Sequence, residues 1–151
     1  MAANRERFRV GDIQCIAISD GTFSYPPDWF FSNVPQEELE GNLREHNLPL
    51  QEIVSPYTCV VAKAGKHTVL VDTGADGLAP TTGDLLKNLK AEGITPEEIT
   101  TVVLTHAHPD HIGGVLAASG KPAFANARYV RRSGTSGPSS PICVGRGWMI
   151  T

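Results

Sequence analysis

The sequence predicts a single α/β layered domain, on three observations. β-branched apolar runs such as Thr101-Val-Val-Leu104 read as strands, and Leu85, Leu86 and Leu89 repeat at helical spacing. A chain of 151 residues that is 40% hydrophobic is long enough for one core.

The elements follow in order. Met1 to Arg9 holds three arginines and a glutamate and leads into no apolar run long enough for a leader or a membrane span, so a cytoplasmic protein that does not engage membranes is expected. Ile13 to Ser19 reads as a strand closed by a turn at Asp20-Gly21. Tyr25-Pro-Pro-Asp-Trp-Phe-Phe31 combines two prolines with crowded aromatic rings and is expected to be a loop. Its rings would pack in the core, or form a substrate-side wall or a contact between copies. Pro35 to Glu45, with proline at its start and acidic residues in its first turn, predicts a surface helix.

Tyr57 to Ala62 and His67 to Val71 are β-rich runs separated by Lys63-Ala-Gly-Lys66, an antiparallel hairpin with Gly65 in its turn. The second run enters Asp72-Thr73-Gly74. An amphipathic helix is expected between Gly83 and Gly93. Thr95-Pro-Glu-Glu98 carries a capping threonine, a proline at the first helical position and a reciprocal glutamate, which predicts one helical turn. Thr101 to Leu104 suits a central strand buried on both faces, and it delivers the chain into Thr105-His106.

After Val130 the pattern changes. Residues 131–151, with Ser-Gly-Thr-Ser-Gly-Pro-Ser-Ser-Pro and Gly-Arg-Gly, show neither periodicity and are expected to form an irregular tail beyond a domain of residues 1–130. A shift of reading frame near Val130 would account for the change, and the nucleotide sequence tests that idea.

A formal net charge of −3 with 19% charged residues lacks the basic excess that phosphate backbones demand, so no nucleic-acid partner is expected. The three cysteines, Cys15, Cys59 and Cys143, form no C-x-x-C pair. The first two lie in strand-like runs and read as small buried hydrophobes.

The chemistry concentrates in Thr105-His106-Ala-His108-Pro-Asp110-His111-Ile-Gly113-Gly114, with three histidines and an aspartate inside six residues. At an extended strand end, residues two apart point to the same side, so His106 and His108 can grip one ion. Pro109 breaks the strand, and the bend re-aims Asp110 and His111 toward the same cavity while Gly113 and Gly114 let the backbone turn tightly. Imidazoles with a carboxylate suit zinc, and iron or manganese also accept such donors. Four such groups at the mouth of an apolar strand would be costly unless an ion satisfied them.

This H-x-H-x-D-H string, with Val69-Leu-Val-Asp72-Thr-Gly74 upstream, resembles the metallo-β-lactamase superfamily. The resemblance spans roughly residues 8 to 130. It looks closest to the branch of acyl-homoserine lactonases and related ester hydrolases, through Val10-Gly-Asp-Ile13, Ser19-Asp-Gly21 and the aromatics near Phe30. It implies the N-terminal half of an αββα sandwich and a pair of zinc ions. His106 and His108 would bind the first ion and Asp110 and His111 the second, with Asp72 behind them. It also implies a metal-bridged hydroxide attacking an ester, lactone or related acyl bond of a small molecule, with Asp110 steering a proton.

Family members draw further ligands from a C-terminal half, whereas no aspartate or histidine follows His111 here, and His46 and His67 sit away from the motif. The expectation is therefore a truncated sandwich whose uncovered sheet face favours self-association. Two alternatives to a working hydrolase stay open: a metal-binding fragment without turnover, and a subunit completed by another chain.

Overall fold

The computed structural model describes residues 5–131. Its sheet is assembled from chain neighbours. Gly11, at φ 58°, turns β1 (Arg5–Val10) back onto β2 (Ile13–Tyr25), pairing Val10 with Ile13. Gly65, at φ 59°, does the same between β3 (Ile53–Ala64) and β4 (His67–Val71), pairing Ala64 with His67 as the sequence predicts. These four strands form an antiparallel meander. β5 (Thr101–Leu104) and β6 (Arg128–Arg131) then add in parallel, giving six strands in the order β1-β2-β3-β4-β5-β6.

Four short helices complete the architecture: α1 (Pro27–Phe30), α2 (Gln36–Glu45), α3 (Leu85–Ala91) and α4 (Pro109–Ile112). The predicted capping pattern is present at the 3₁₀ turn Pro96–Glu98, where the Thr95 N–H donates to Glu98 Oε2 at 2.6 Å. α3 lays Leu85 and Leu89 on the sheet and leaves Leu86 exposed. Together with Ile18, Val61, Leu70 and Val102 they form one core. A buried leucine truncated there costs roughly 2–5 kcal/mol. α2 is a surface helix, as expected, but buries Leu39 and Leu43.

Several expectations are corrected. β1 is an unforeseen edge strand. Asp20-Gly21 is no turn: β2 runs through it with a register shift between Ser19 and Gly21, a bulge held in place by β3 on both sides. The Tyr25–Phe31 rings do not enter the core. Trp29 is 67% exposed and Phe30 51%, and they pack on Tyr25, the Phe30 and Tyr25 rings meeting edge to face at 4.9 Å. β5 buries only one face. Val102 and Leu104 lie in the core, whereas Thr101 and Val103 are half-buried on the other side.

That second face carries a cross-strand row, Ala17, Val60, Val71, Val103 and Val130, set by successive registers and half-buried throughout. α3, the helix that packs on the sheet, lies on the other face, with the core. Arg131 belongs to β6 rather than to an irregular tail; residues 132–151, with Cys143 and the proposed frame shift, lie outside the described residues. Among the described residues no helix is long and apolar enough to cross a membrane.

Cys15 and Cys59 are free and buried, as expected of small apolar residues. Burial, reinforced by the Asp20 and Asp72 carboxylates, pushes the Cys59 thiol up from 9.0 to about 12. A raised value means the folded chain holds the proton more tightly than the unfolded one. The contribution is complete below pH 9 and lost as pH rises through about 12. Iodoacetamide at pH 8 is expected to leave Cys59 unmodified in the native chain and to alkylate it in urea, as peptide mass mapping would show.

Candidate metal centre

Parallel pairing brings two strand tips together. Val71 of β4 lies opposite Val103 of β5, and the Asp72 N–H donates to the Val103 carbonyl at 2.8 Å. Both strands therefore end side by side, so Asp72 and Thr105-His106 emerge at the carboxyl edge of the sheet, the ordinary place for a site in such folds. Asp72 bends away at φ 61°, an uncommon backbone for a non-glycine residue.

Asp72 is 6% exposed and organises the histidine segment around it. Its Oδ1 accepts the Thr105 N–H at 2.8 Å, and its carboxylate also accepts the Thr105 hydroxyl. Its Oδ2 lies 2.8 Å from His111 Nδ1, which favours a proton on that nitrogen and leaves Nε2 with its lone pair. The resemblance implies a place for Asp72 behind the donors; in the structure its carboxylate contacts His111, one of them.

β5 ends at Leu104, residues 105–108 are extended, and Pro109 occupies the first position of α4, with His108 just before it. The three imidazoles gather: His106 and His111 have ring centroids 3.8 Å apart, and His106 and His108 4.6 Å. Asp110 Oδ2 lies 3.3 Å from His111 Nε2. All four sequence-predicted donors thus share one mouth at the sheet edge. They are turned on one another, and among the described residues no three His, Cys, Asp or Glu side chains are arranged to hold an ion as they stand. In kind the donor set fits zinc, and the Asp72–His111 contact is the orientation a ligating imidazole needs. His67 is exposed at the start of β4, and His46 follows the end of α2, both away from this mouth.

Asp20 is the residue that sequence reading missed. It is 1% exposed and accepts N–H groups from Ala75 at 2.7 Å, Gly83 at 3.2 Å and Leu85 at 3.0 Å. It ties the 73–75 loop to the start of α3. Its only signal was an Asp-Gly pair, which locally means a turn.

Gly113 and Gly114 also differ from expectation. Gly113 has φ −54° and Gly114 φ −82°, backbone any residue adopts. A Cβ on Gly113 would lie 2.5 Å from the Ala75 carbonyl carbon, and one on Gly114 would collide with the Thr73 carbonyl oxygen. These glycines let the motif press on the 73–75 loop, where the Thr73 N–H donates to the His111 carbonyl at 2.8 Å. Gly114→Ala is therefore expected to cost about 1–3 kcal/mol by overpacking against backbone, read from the midpoint of urea unfolding.

Comparison with known proteins agrees with this geometry. The family model of the metallo-beta-lactamase superfamily matches residues 53–138, more than half of the chain. Among solved structures, AidC, a dizinc quorum-quenching lactonase with a bound product, is 29% identical with a TM-score of 0.79 and is matched over 84% of this chain and 44% of its own. The hydrolase AbOPH of the beta-lactamase superfamily is 32% identical with a TM-score of 0.77, over 86% of this chain and 45% of its own. Metallo-beta-lactamase domain-containing protein 1 of Mus musculus is 43% identical over 53 residues, 35% of this chain and 19% of that protein. The chain thus spans less than half the length of these relatives.

Proposed function

Because this chain belongs to the metallo-beta-lactamase superfamily, we propose that it contributes the zinc-binding motif of a hydrolase that opens an ester, lactone or related acyl bond in a small molecule. The observation that carries the reading is the gathering of His106, His108 and His111 at the sheet edge, with Asp72 fixing the His111 ring. Similarity to a lactonase at 29% identity supports the acyl class.

His106 and His108 would hold one ion, and Asp110 and His111 a second. When bound, zinc supplies Lewis acidity toward an acyl oxygen and lowers the pKa of water at the site. The chain's own residues do the rest. Asp72 holds the His111 proton on Nδ1, and the Thr105 hydroxyl, 3.0 Å from His106 Nδ1, steadies that ring. Asp110, partly exposed at the mouth and 3.3 Å from His111 Nε2, would steer a proton during turnover.

A second reading is favoured by donors that face one another: a metal-binding segment that holds an ion weakly without turnover. Elemental analysis of the purified chain, paired with hydrolysis of an N-acyl homoserine lactone and a p-nitrophenyl ester, separates the two. Two zinc ions per chain with sustained turnover support the first. One weakly held ion and no turnover support the second, and no zinc uptake at all defeats both. The valine row is further proposed as a self-association surface, expected to give a concentration-dependent sedimentation coefficient.

A further inference from the structure

The opposite end of the sheet from the histidines holds a cavity with an apolar floor and charged side chains around it. Register sets it: Arg9 pairs with Gln14, and Gln14 with Lys63, so these three stand in a row on the face that carries Ile16 and the core. Lys63 in turn faces Thr68, four residues before Asp72 along β4, which puts this row about 13 Å from the metal motif at roughly 3.3 Å per residue.

The cavity is about 250 Å³ and is lined by Arg7, Arg9, Gln14, Lys63 and Glu92 over Ile16. Glu92, just past the end of α3, has a side chain only 2% exposed and is gripped by Arg5 Nε at 2.7 Å and by the Arg7 guanidinium. That carboxylate is already satisfied. The Arg9 guanidinium donates to the Asp12 backbone carbonyl at 3.4 Å and lies a loose 3.9 Å from the exposed Asp12 carboxylate, and Lys63 makes no ion pair among the described residues. Three cations and one carboxylate thus line the cavity, in a chain whose formal net charge is −3.

Cations on an edge strand can serve merely to keep other strands away. Arg7 and Arg9 do reach solvent, with side chains 71% and 58% exposed, but together with Lys63 they border one concavity, with Gln14 between the last two. Guanidinium forks and an ammonium around a small cavity suit oxygen-rich anions. We infer that this cavity binds a small, multiply charged oxyanion, bearing phosphate or carboxylate groups, at a site separate from the histidine motif.

The test is calorimetric titration of the metal-stripped chain with pyrophosphate and, separately, citrate, at constant ionic strength. Stripping removes any coordination of these anions to an ion, so the outcome is independent of the hydrolase reading. Saturable one-site binding is expected, weakened at least tenfold in Arg9→Ala/Lys63→Gln, with far-UV circular dichroism unchanged. Tighter pyrophosphate binding assigns the phosphate class, and tighter citrate binding the polycarboxylate class. Should the double variant fold poorly, Arg9→Gln alone together with the shift of the Gln14 side-chain amide resonances in the unaltered chain gives the same reading. Heat that does not saturate, or affinity equal in chain and variant with Gln14 unmoved, means adventitious ion association only and overturns the site.

Discussion

Asp20→Ala is expected to lower the unfolding free energy by about 4 kcal/mol, the largest single effect in this chain outside the hydrophobic core. The carboxylate accepts three backbone N–H groups in a buried position, from Ala75, Gly83 and Leu85. Its removal leaves those donors without partners at roughly 1–3 kcal/mol each, partly relieved where water enters the vacated volume. Asp20→Asn is the informative control. Ala75 and Gly83 both use Oδ2 and Leu85 uses Oδ1, so an amide turned either way sets its NH₂ against an N–H, and about half the loss is expected. Urea unfolding followed by circular dichroism measures both. If Asp20→Ala left the midpoint unchanged, the bonds through Asp20 would not be what holds the 73–75 loop to α3.

Zinc uptake at the first proposed position is expected to vanish in His106→Ala/His108→Ala, and uptake at the second to weaken by roughly 10–100-fold in Asp72→Ala. The two effects have different origins. The double variant removes donor atoms, whereas Asp72→Ala leaves every proposed donor in place and frees the His111 ring to turn and carry its proton on either nitrogen. Asp72→Asn should weaken uptake less than Asp72→Ala, since an amide oxygen can still accept from His111 Nδ1. Competition with a chromophoric chelator reads all three affinities. A structural role for Asp72 alone predicts loss of stability with unaltered affinity in the folded fraction, so unfolding is measured alongside.

Much of this was legible because the relevant signals are local. Gly65 between two β-rich runs specifies a hairpin by its positive φ, and Thr95 and Glu98 satisfy one another within a single turn. The H-x-H-x-D-H string placed its donors at a strand tip, and the shared mouth follows from the parallel pairing of β4 and β5. What escaped was decided by partners far away in sequence. Asp20-Gly21 looks like a turn until β3 holds it extended, and the use of Asp20 depends on donors at residues 75 to 85. Gly113 and Gly114 looked like turn formers, but their small size answers to residues 73 and 75. The aromatics of residues 29 to 31 carry ample apolar surface for a core, and only the tertiary path shows them on the outside.

The sheet keeps its strands in the same sequence as the chain does, every strand beside its predecessor. During synthesis, therefore, each new strand pairs with one already made: the β1–β2 and β3–β4 hairpins can close over short loops as they emerge, whereas β3 joining β2 across residues 26–52 and the two parallel additions require longer closure. Each new strand adds beside the newest one, so the sheet grows in one direction, away from the β1 edge.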